Sequence, residues 1–192
     1  MEAPMLTQAK LEELLRANCI PFDTWGAGST KTIDHLLGEI RFKETSLRKI
    51  EGLLTREVST AAINVYRVTP QKTLLLKEQK QVFKDGRSRK RILDTSIAEK
   101  IKSGENSRAA AQRAFTEELG ISEFVTLVFK ERRTKGPKPS LSYPGLQTIN
   151  TLHYFDAFLS ERAFKRGGYV ERQSDKSTYF IWEEVPHKKA RT

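Results

Sequence analysis

Residues 105–121 read ENSRAAAQRAFTEELGI, and this stretch decides the architecture that we expect for the chain. Asn106 or Ser107 can cap a helix, because their side chains accept hydrogen bonds from the first free N–H groups. The following residues have high helix propensity as far as Leu119, and Gly120 is suited to the left-handed conformation that ends many helices. The sequence therefore predicts a helix from Ser107 to Leu119.

This predicted helix has an apolar side and an acidic end. Ala111, Phe115 and Leu119 recur every four residues and form a stripe that can pack on a sheet. Glu117 and Glu118 are then expected to face outward. Two adjacent carboxylates repel each other unless a cation lies between them or water screens them. The pattern is thus open to two interpretations, a metal site or a solvated acidic helix end.

Segments on both sides of the helix have the β-branched, alternating pattern of strands. Strands are predicted at residues 56–68, 74–83, 87–93, 124–129, 148–159 and 179–185, with a hairpin turn at Asp85-Gly86 and a long loop at 135–145. The simplest architecture is a mixed sheet with one internal helix.

The first part of the chain has helical rather than strand periodicity. Residues 7–18 predict an amphipathic helix capped by Thr7, and a second helix follows, capped by Thr32 or Ser29. We expect an N-terminal helical extension at 1–54, a domain at 55–186 and a basic tail at 187–192. The extension covers one face of the sheet or mediates a homodimer, and the sequence does not decide between the two.

The composition is that of an ordinary globular protein, with 192 residues, 38% hydrophobic and 30% charged. The start of the chain has neither a signal sequence nor an apolar run that could span a membrane, which favours a cytoplasmic protein without a membrane partner. Cys19 has no second cysteine to pair with, so an internal disulfide is excluded, and we expect a buried thiol.

The formal net charge of +10 is compatible with a solvated surface, a phosphorylated ligand or nucleic acid. Much of the excess lies in three clusters at residues 84–91, 130–138 and 188–191. Charge alone does not choose among these partners.

The spacing around the predicted helix resembles the Nudix box. That motif has a glycine, five residues, a glutamate, seven residues, Arg-Glu, an apolar residue, any residue, Glu-Glu, any residue, a glycine and an apolar residue. The matching positions here are Glu105, Arg113, Phe115, Glu117, Glu118, Gly120 and Ile121. The resemblance implies an α/β fold, the Nudix-like α/β/α sandwich with a mixed sheet, here preceded by the N-terminal helical extension.

The resemblance also implies a chemistry. Glu118 would be a ligand of Mg²⁺ (or Mn²⁺), Glu117 a second ligand, direct or through water, and the Ala98 carbonyl a further one. Arg113 would fix a carboxylate, and Glu105 would pair with it. Magnesium takes hard oxygen ligands and activates an attacking water. The implied reaction is cleavage of the pyrophosphate in a nucleoside diphosphate linked to another moiety, so the implied partner is a nucleotide-type small molecule.

Two positions depart from the motif. Ala114 stands where a glutamate follows the arginine, and Glu99 stands at the opening glycine. Ala114 offers no oxygen to a metal, whereas Glu99 either replaces that oxygen or points to solvent. The alternative function is therefore a catalytically inactive Nudix-like domain that binds a phosphorylated ligand or RNA.

Other side chains are candidates for substrate binding. Arg89 and Arg91 alternate onto one face of the predicted strand at 87–93, where they either bind phosphates or form an exposed face. Tyr143 either stacks on a base or anchors its loop by packing. Trp25 and Trp182 are interpreted as packing anchors.

Overall fold

A computed structural model describes residues 6–186 of the chain. The predicted basic tail at 187–192, with the charge cluster at 188–191, lies outside these residues. The described part has three α-helices and nine strands, and the strands belong to one mixed sheet. The predicted α/β class with helices at the N-terminal end is therefore confirmed.

The helices and strands follow each other in a simple order. The elements are α1 Gln8–Ala17, α2 Ile33–Arg41, β1 Ser46–Ile50, β2 Leu53–Val68, β3 Thr73–Phe83, β4 Ser88–Arg89, β5 Ile97–Lys100, α3 Ser107–Leu119, β6 Thr126–Pro139, β7 Gln147–Phe158, β8 Tyr169–Arg172 and β9 Lys176–Val185. Within the described residues, no helix is long and apolar enough to cross a membrane.

Side-chain caps start both N-terminal helices where the sequence predicts them. The Thr7 hydroxyl accepts a hydrogen bond from the Lys10 N–H at 3.3 Å. The Thr32 hydroxyl accepts one from the His35 N–H, and His35 Nδ1 accepts one from the Thr32 N–H, which completes a capping box. Each cap satisfies N–H groups that the helix itself leaves without a partner.

The described chain forms two compact units. The first contains residues 6–60, 100–105 and 133–152, and the second contains residues 61–99, 106–132 and 153–186. The proposed domain boundary near residue 54 stays a prediction.

The first unit is built on α1 and α2. Its buried core contains Leu11 and Leu15 of α1, Leu36 of α2, and Tyr143 and Leu146 between β6 and β7. An antiparallel hairpin of β1 and β2 completes the unit, with Ser46 opposite Glu57 and Ile50 opposite Leu53. The apolar periodicity of the first forty residues thus produces a local helical core.

The second unit holds α3 against a sheet with the strand order β6-β7-β2-β3-β9-β8. β3 and β9 pair antiparallel from Thr73 opposite Val185 to Phe83 opposite Lys176, and β8 pairs antiparallel with β9. Phe115 of α3 is fully buried in this unit.

Three predictions of local structure are wrong. The strand predicted at 87–93 is limited to β4, because the Asp85 carboxylate binds both the N–H and the side chain of Arg87 and tightens the turn. The loop predicted at 135–145 begins as strand, since β6 continues to Pro139. As the outermost strand, β6 tolerates prolines, which have no N–H to donate. Finally, Cys19 is exposed rather than buried.

Candidate functional site

Helix α3 has the start and end that its sequence predicts. The Asn106 side chain accepts a hydrogen bond from the Ala109 N–H at 2.8 Å. Gly120 has the left-handed conformation, with φ of 64°, and its N–H bonds to the Phe115 carbonyl. The predicted apolar stripe is buried, together with Ala114. The helix therefore presents its acidic end at a fixed position in the second unit.

Glu118 points inward, contrary to the prediction that it faces outward with Glu117. Position 118 shares a helix face with Ala114, which is fully buried, and α3 packs against β8 on that side. The Glu118 Oε1 atom is buried and has no hydrogen-bond partner. A buried carboxylate oxygen without a hydrogen-bond partner lowers the stability of the folded chain.

The surroundings of Glu118 disfavour its negative charge. Burial raises the pKa of Glu118 to about 9, and the carboxylates of Glu171 and Glu99 add to the effect. A hydrogen bond from the Ala98 backbone and the charge of Arg91 oppose it. Without a cation, this carboxyl group holds its proton at neutral pH.

Glu117 lies in a different environment from its neighbour. Its side chain is 49% exposed, and its Oε2 lies 3.0 Å from Arg113 Nη1. The same Arg113 nitrogen lies 3.2 Å from Glu99 Oε1. Arg113 thus joins Glu99 to Glu117. Glu99 is held by an ion pair rather than pointing to bulk solvent.

Ala98 contributes through its amide. A hydrogen-bond donor lowers the pKa of an acid, so the hydrogen bond to Glu118 comes from the Ala98 N–H. The Ala98 carbonyl as a metal ligand stays a prediction. Strand β5 carries both Ala98 and Glu99, which explains why both lie beside the end of α3.

Two carboxylates of this site were not predicted from the sequence. The Glu78 side chain is only 2% exposed, and its Oε1 lies 2.8 Å from Arg91 Nε. Glu171 lies on β8, close enough to raise the pKa of Glu118. The available signal for Glu78 was its even spacing from Leu74 and Leu76 on β3, which places it on the same strand face.

The carboxylate cluster is defined here as Glu78, Glu99, Glu117, Glu118 and Glu171. Arg91 pairs with Glu78, and Arg113 pairs with Glu99 and Glu117. Within residues 6–186, neither Glu118 nor Glu171 forms an ion pair with Arg91 or Arg113, although Gln173 donates a hydrogen bond to Glu171.

The arginines around β4 do not form one common face. Arg87 binds Asp85, Arg89 Nε donates to Gln81 Oε1 at 2.9 Å, and Arg91 binds Glu78. Only Arg91 belongs to the surroundings of Glu118.

Tyr143 is a packing residue of the first unit. Its side chain is fully buried, with the Trp25 ring centroid at 5.1 Å and the Arg56 guanidinium 5.3 Å from its ring. No ring face is left for a base, so the expected substrate role is wrong, and the alternative of a packing anchor agrees with the structure. In the same unit, the Glu105 carboxylate accepts a hydrogen bond from the Lys102 N–H at 3.0 Å.

The donor chemistry of the cluster suits a hard divalent cation, since carboxylate oxygens are the ligands that magnesium prefers. Within residues 6–186, however, no three carboxylate, histidine or cysteine side chains converge as a metal group. The feature that fits a cation is the buried Glu118 Oε1, which lacks a partner.

Neither a family model nor a curated protein sequence matches this chain. Several solved structures are similar to it. One is the Caenorhabditis elegans Ap4A hydrolase, at 19% identity over 66% of this chain and 80% of that one, with a TM-score of 0.39. A second is the Escherichia coli dihydroneopterin triphosphate pyrophosphohydrolase, at 20% identity over 65% and 78%, with a TM-score of 0.42.

A third is the NUDIX domain of Shewanella oneidensis NrtR complexed with ADP ribose, at 10% identity over 67% of this chain and 73% of that one, with a TM-score of 0.41. The third of these neighbours is a NUDIX domain. The α/β class itself is established by the three helices and the nine-stranded sheet of this chain.

Proposed function

We propose that this chain is a magnesium-dependent Nudix-type hydrolase that cleaves the pyrophosphate of a nucleoside diphosphate linked to another moiety. The observation that carries the proposal is the buried Glu118 carboxyl group, whose Oε1 has no hydrogen-bond partner and which lies near the carboxylates of Glu99 and Glu171. Such an arrangement is unfavourable in an empty protein and favourable around a cation.

In this proposal, Glu118 holds the ion, and Glu171 and Glu99 add oxygen ligands. Manganese fits the same hard donors as magnesium. A cation held there would supply charge neutralisation for the pyrophosphate and would lower the pKa of a water molecule. Glu117, which is exposed and bound to Arg113, contributes through that ion pair or through water rather than as a direct ligand.

The two arginines of the cluster have distinct parts. Arg113 holds Glu99 and Glu117 in place through its two ion pairs. The Arg91 side chain is 39% exposed beside Glu78, so part of its guanidinium is free to meet a substrate phosphate. Arginine suits this task because its planar group can bind two phosphate oxygens at once.

The proposal is tested by turnover. The purified chain is incubated with a panel of nucleoside diphosphate derivatives and Mg²⁺ or Mn²⁺, and phosphate-containing products are quantified. We expect metal-dependent products that are lost in Glu118→Gln and retained in Asp175→Asn, which alters an exposed carboxylate in the turn before β9. The absence of turnover across the panel, or equal turnover in Glu118→Gln, would overturn the proposal.

The second candidate is a binding domain without catalysis. It is favoured by Ala114, which is fully buried and offers no oxygen at a position that shares a face with Glu118. Under this candidate, the chain binds nucleotide derivatives or RNA without products, and its RNA affinity falls steeply with salt because phosphate contacts release counterions. The cytoplasmic location and the homodimer stay predictions.

A further inference from the structure

The second unit contains a cavity that is separate from the carboxylate cluster. It has a volume of about 490 Å³, within the roughly 300–1,000 Å³ typical of small-molecule sites. Its lining combines aromatic and cationic side chains, and the residues that matter here are Arg67, Lys72, Phe164, Arg166, Trp182 and Glu184. This combination suits a ligand with both a flat ring and a negative charge.

Two aromatic rings are held rigidly in the cavity. The ring centroids of Phe164 and Trp182 lie 5.2 Å apart, and Trp182 Nε1 donates to the Lys165 carbonyl at 2.8 Å. The Arg67 guanidinium lies 5.6 Å from the Phe164 ring and is itself fixed by Glu161 and by the Leu159 carbonyl. A stacking platform of fixed rings loses little entropy when a ligand binds.

The loop that carries Phe164 is held by β8 and β9. Tyr169 Oη donates to the Ala163 carbonyl at 2.5 Å. Gly168 approaches β9 so closely that an added Cβ would collide with the Phe180 carbonyl oxygen. The loop is therefore part of the folded sheet edge, and it keeps Arg166 at the cavity.

The cations of the cavity are not all neutralised. Within residues 6–186, Lys72 and Arg166 are exposed and form no ion pair, whereas Arg67 is paired with Glu161. Glu184 is the only carboxylate among the described lining residues. Two free cations against one carboxylate leave a positive excess that can hold a phosphate.

The cavity and the carboxylate cluster lie on the same face of the sheet but apart from each other. Glu171 is paired with Thr178 of β9, four residues before Trp182, which corresponds to roughly 13 Å along the strand. Glu78, the cluster member on β3, is opposite Phe180, two residues or roughly 7 Å before Trp182, and none of the five cluster residues lines the cavity. The cavity is thus a second location rather than an edge of the cluster.

We infer that this cavity binds a nucleotide unit, with the base packed against Phe164 and Trp182 and the phosphate held by Arg166 and Lys72. A free nucleotide and one nucleotide within a single strand both offer this base and phosphate. Aromatic stacking tolerates any base, so we expect little base specificity. The inference does not depend on the proposed hydrolase activity.

The test uses the fluorescence of Trp182, one of two tryptophans in the chain, with excitation at 295 nm. The full chain is titrated with uridine monophosphate or with hexauridylate. We expect saturable quenching that disappears in Trp182→Phe, a variant that keeps an aromatic ring. Equal affinity for both probes would indicate a free nucleotide, and tighter binding of hexauridylate would indicate a strand.

A matched pair of charge variants locates the phosphate. Arg166 and Arg162 lie in the same loop, but only Arg166 lines the cavity. Loss of a charged hydrogen bond should weaken binding about tenfold or more in Arg166→Glu, whereas Arg162→Glu should change it less than about threefold. Binding measured with a chelator present should be unchanged, because no divalent ion takes part in this site, and this separates the inference from the hydrolase proposal.

The inference is overturned if neither probe quenches the fluorescence. It is also overturned if quenching persists in Trp182→Phe, or if Arg162→Glu weakens binding as much as Arg166→Glu. Circular dichroism of each variant shows whether it is folded, and Arg166→Glu changes an exposed side chain that no described ion pair needs.

Discussion

Replacing Glu118 by glutamine should stabilise the metal-free protein at neutral pH. The wild-type carboxyl group has a pKa of about 9 in the folded chain, raised from 4.5 by burial and by Glu171 and Glu99. A folded-state pKa that lies above the unfolded value favours folding at low pH, and this contribution is lost as the pH rises from about 4.5 towards 9. Glutamine has nearly the same shape and carries no charge at any pH.

The size of the effect follows from the same shift. Each unit of pH between the two pKa values changes the free energy of unfolding by about 1.36 kcal/mol. The buried carboxyl group therefore lowers the free energy of unfolding of the wild-type chain by up to about 3 kcal/mol at pH 7 and by less than about 1 kcal/mol at pH 5. For a chain of this size, 3 kcal/mol corresponds to a Tm difference of roughly 6–12 °C.

The assay is thermal and urea unfolding of both chains with a chelator at pH 5 and pH 7. Glu117→Gln is the control, because Glu117 is 49% exposed and its loss should cost at most about 1 kcal/mol at either pH. If Glu118→Gln raised the free energy of unfolding equally at both pH values, or lowered it at pH 7, Glu118 would not be a buried carboxyl group whose negative charge is unfavourable.

Three further predictions concern the stability of the fold. Burial raises the pKa of Glu39, but hydrogen bonds and charges from its cationic neighbours lower it to about 2. The free energy of unfolding should therefore fall as the pH drops from about 4.5 towards 2. At neutral pH, Glu39→Gln should lower the free energy of unfolding by about 3 kcal/mol, measured by urea unfolding. Gly168→Ala should lower the Tm strongly, because an added Cβ would meet the Phe180 carbonyl, whereas Gly28→Ala, with a similar positive φ and open space, should cost only backbone strain. Asn106→Ala should lose about 1 kcal/mol of stability on removal of the helix cap, measured by urea unfolding against Asn106→Ser, which keeps a capping oxygen.

The helices could be predicted from the sequence because their signals are local. Thr7, Thr32 and Asn106 cap the helices that their positions indicate, and Gly120 ends α3. Helix caps act over three or four residues, so neighbouring residues suffice to identify them. The extent of β6 could not be predicted in this way, because its proline-rich end is a strand only through its pairing with β7 at the sheet edge, whereas prolines and glycines by themselves indicate a loop.

The site was only partly predictable for a related reason. Glu117, Glu118 and Arg113 follow from spacing along one helix. The inward direction of Glu118 and the presence of Glu171 depend on β8, a short strand that the sequence did not indicate. The role of Tyr143 could not be predicted, because the local sequence is the same whether an aromatic ring in a loop packs inside a core or stacks on a ligand.

Binding of Mn²⁺ measured by electron paramagnetic resonance tests most directly whether Glu118 holds a divalent ion. We predict that the wild-type chain removes free Mn²⁺ from solution up to a saturable limit, that Mg²⁺ competes for the site, and that Glu118→Gln abolishes the binding while Asp175→Asn retains it. Saturable binding of equal affinity in wild type and Glu118→Gln, or no binding to the wild-type chain, would contradict a cation site at the end of α3.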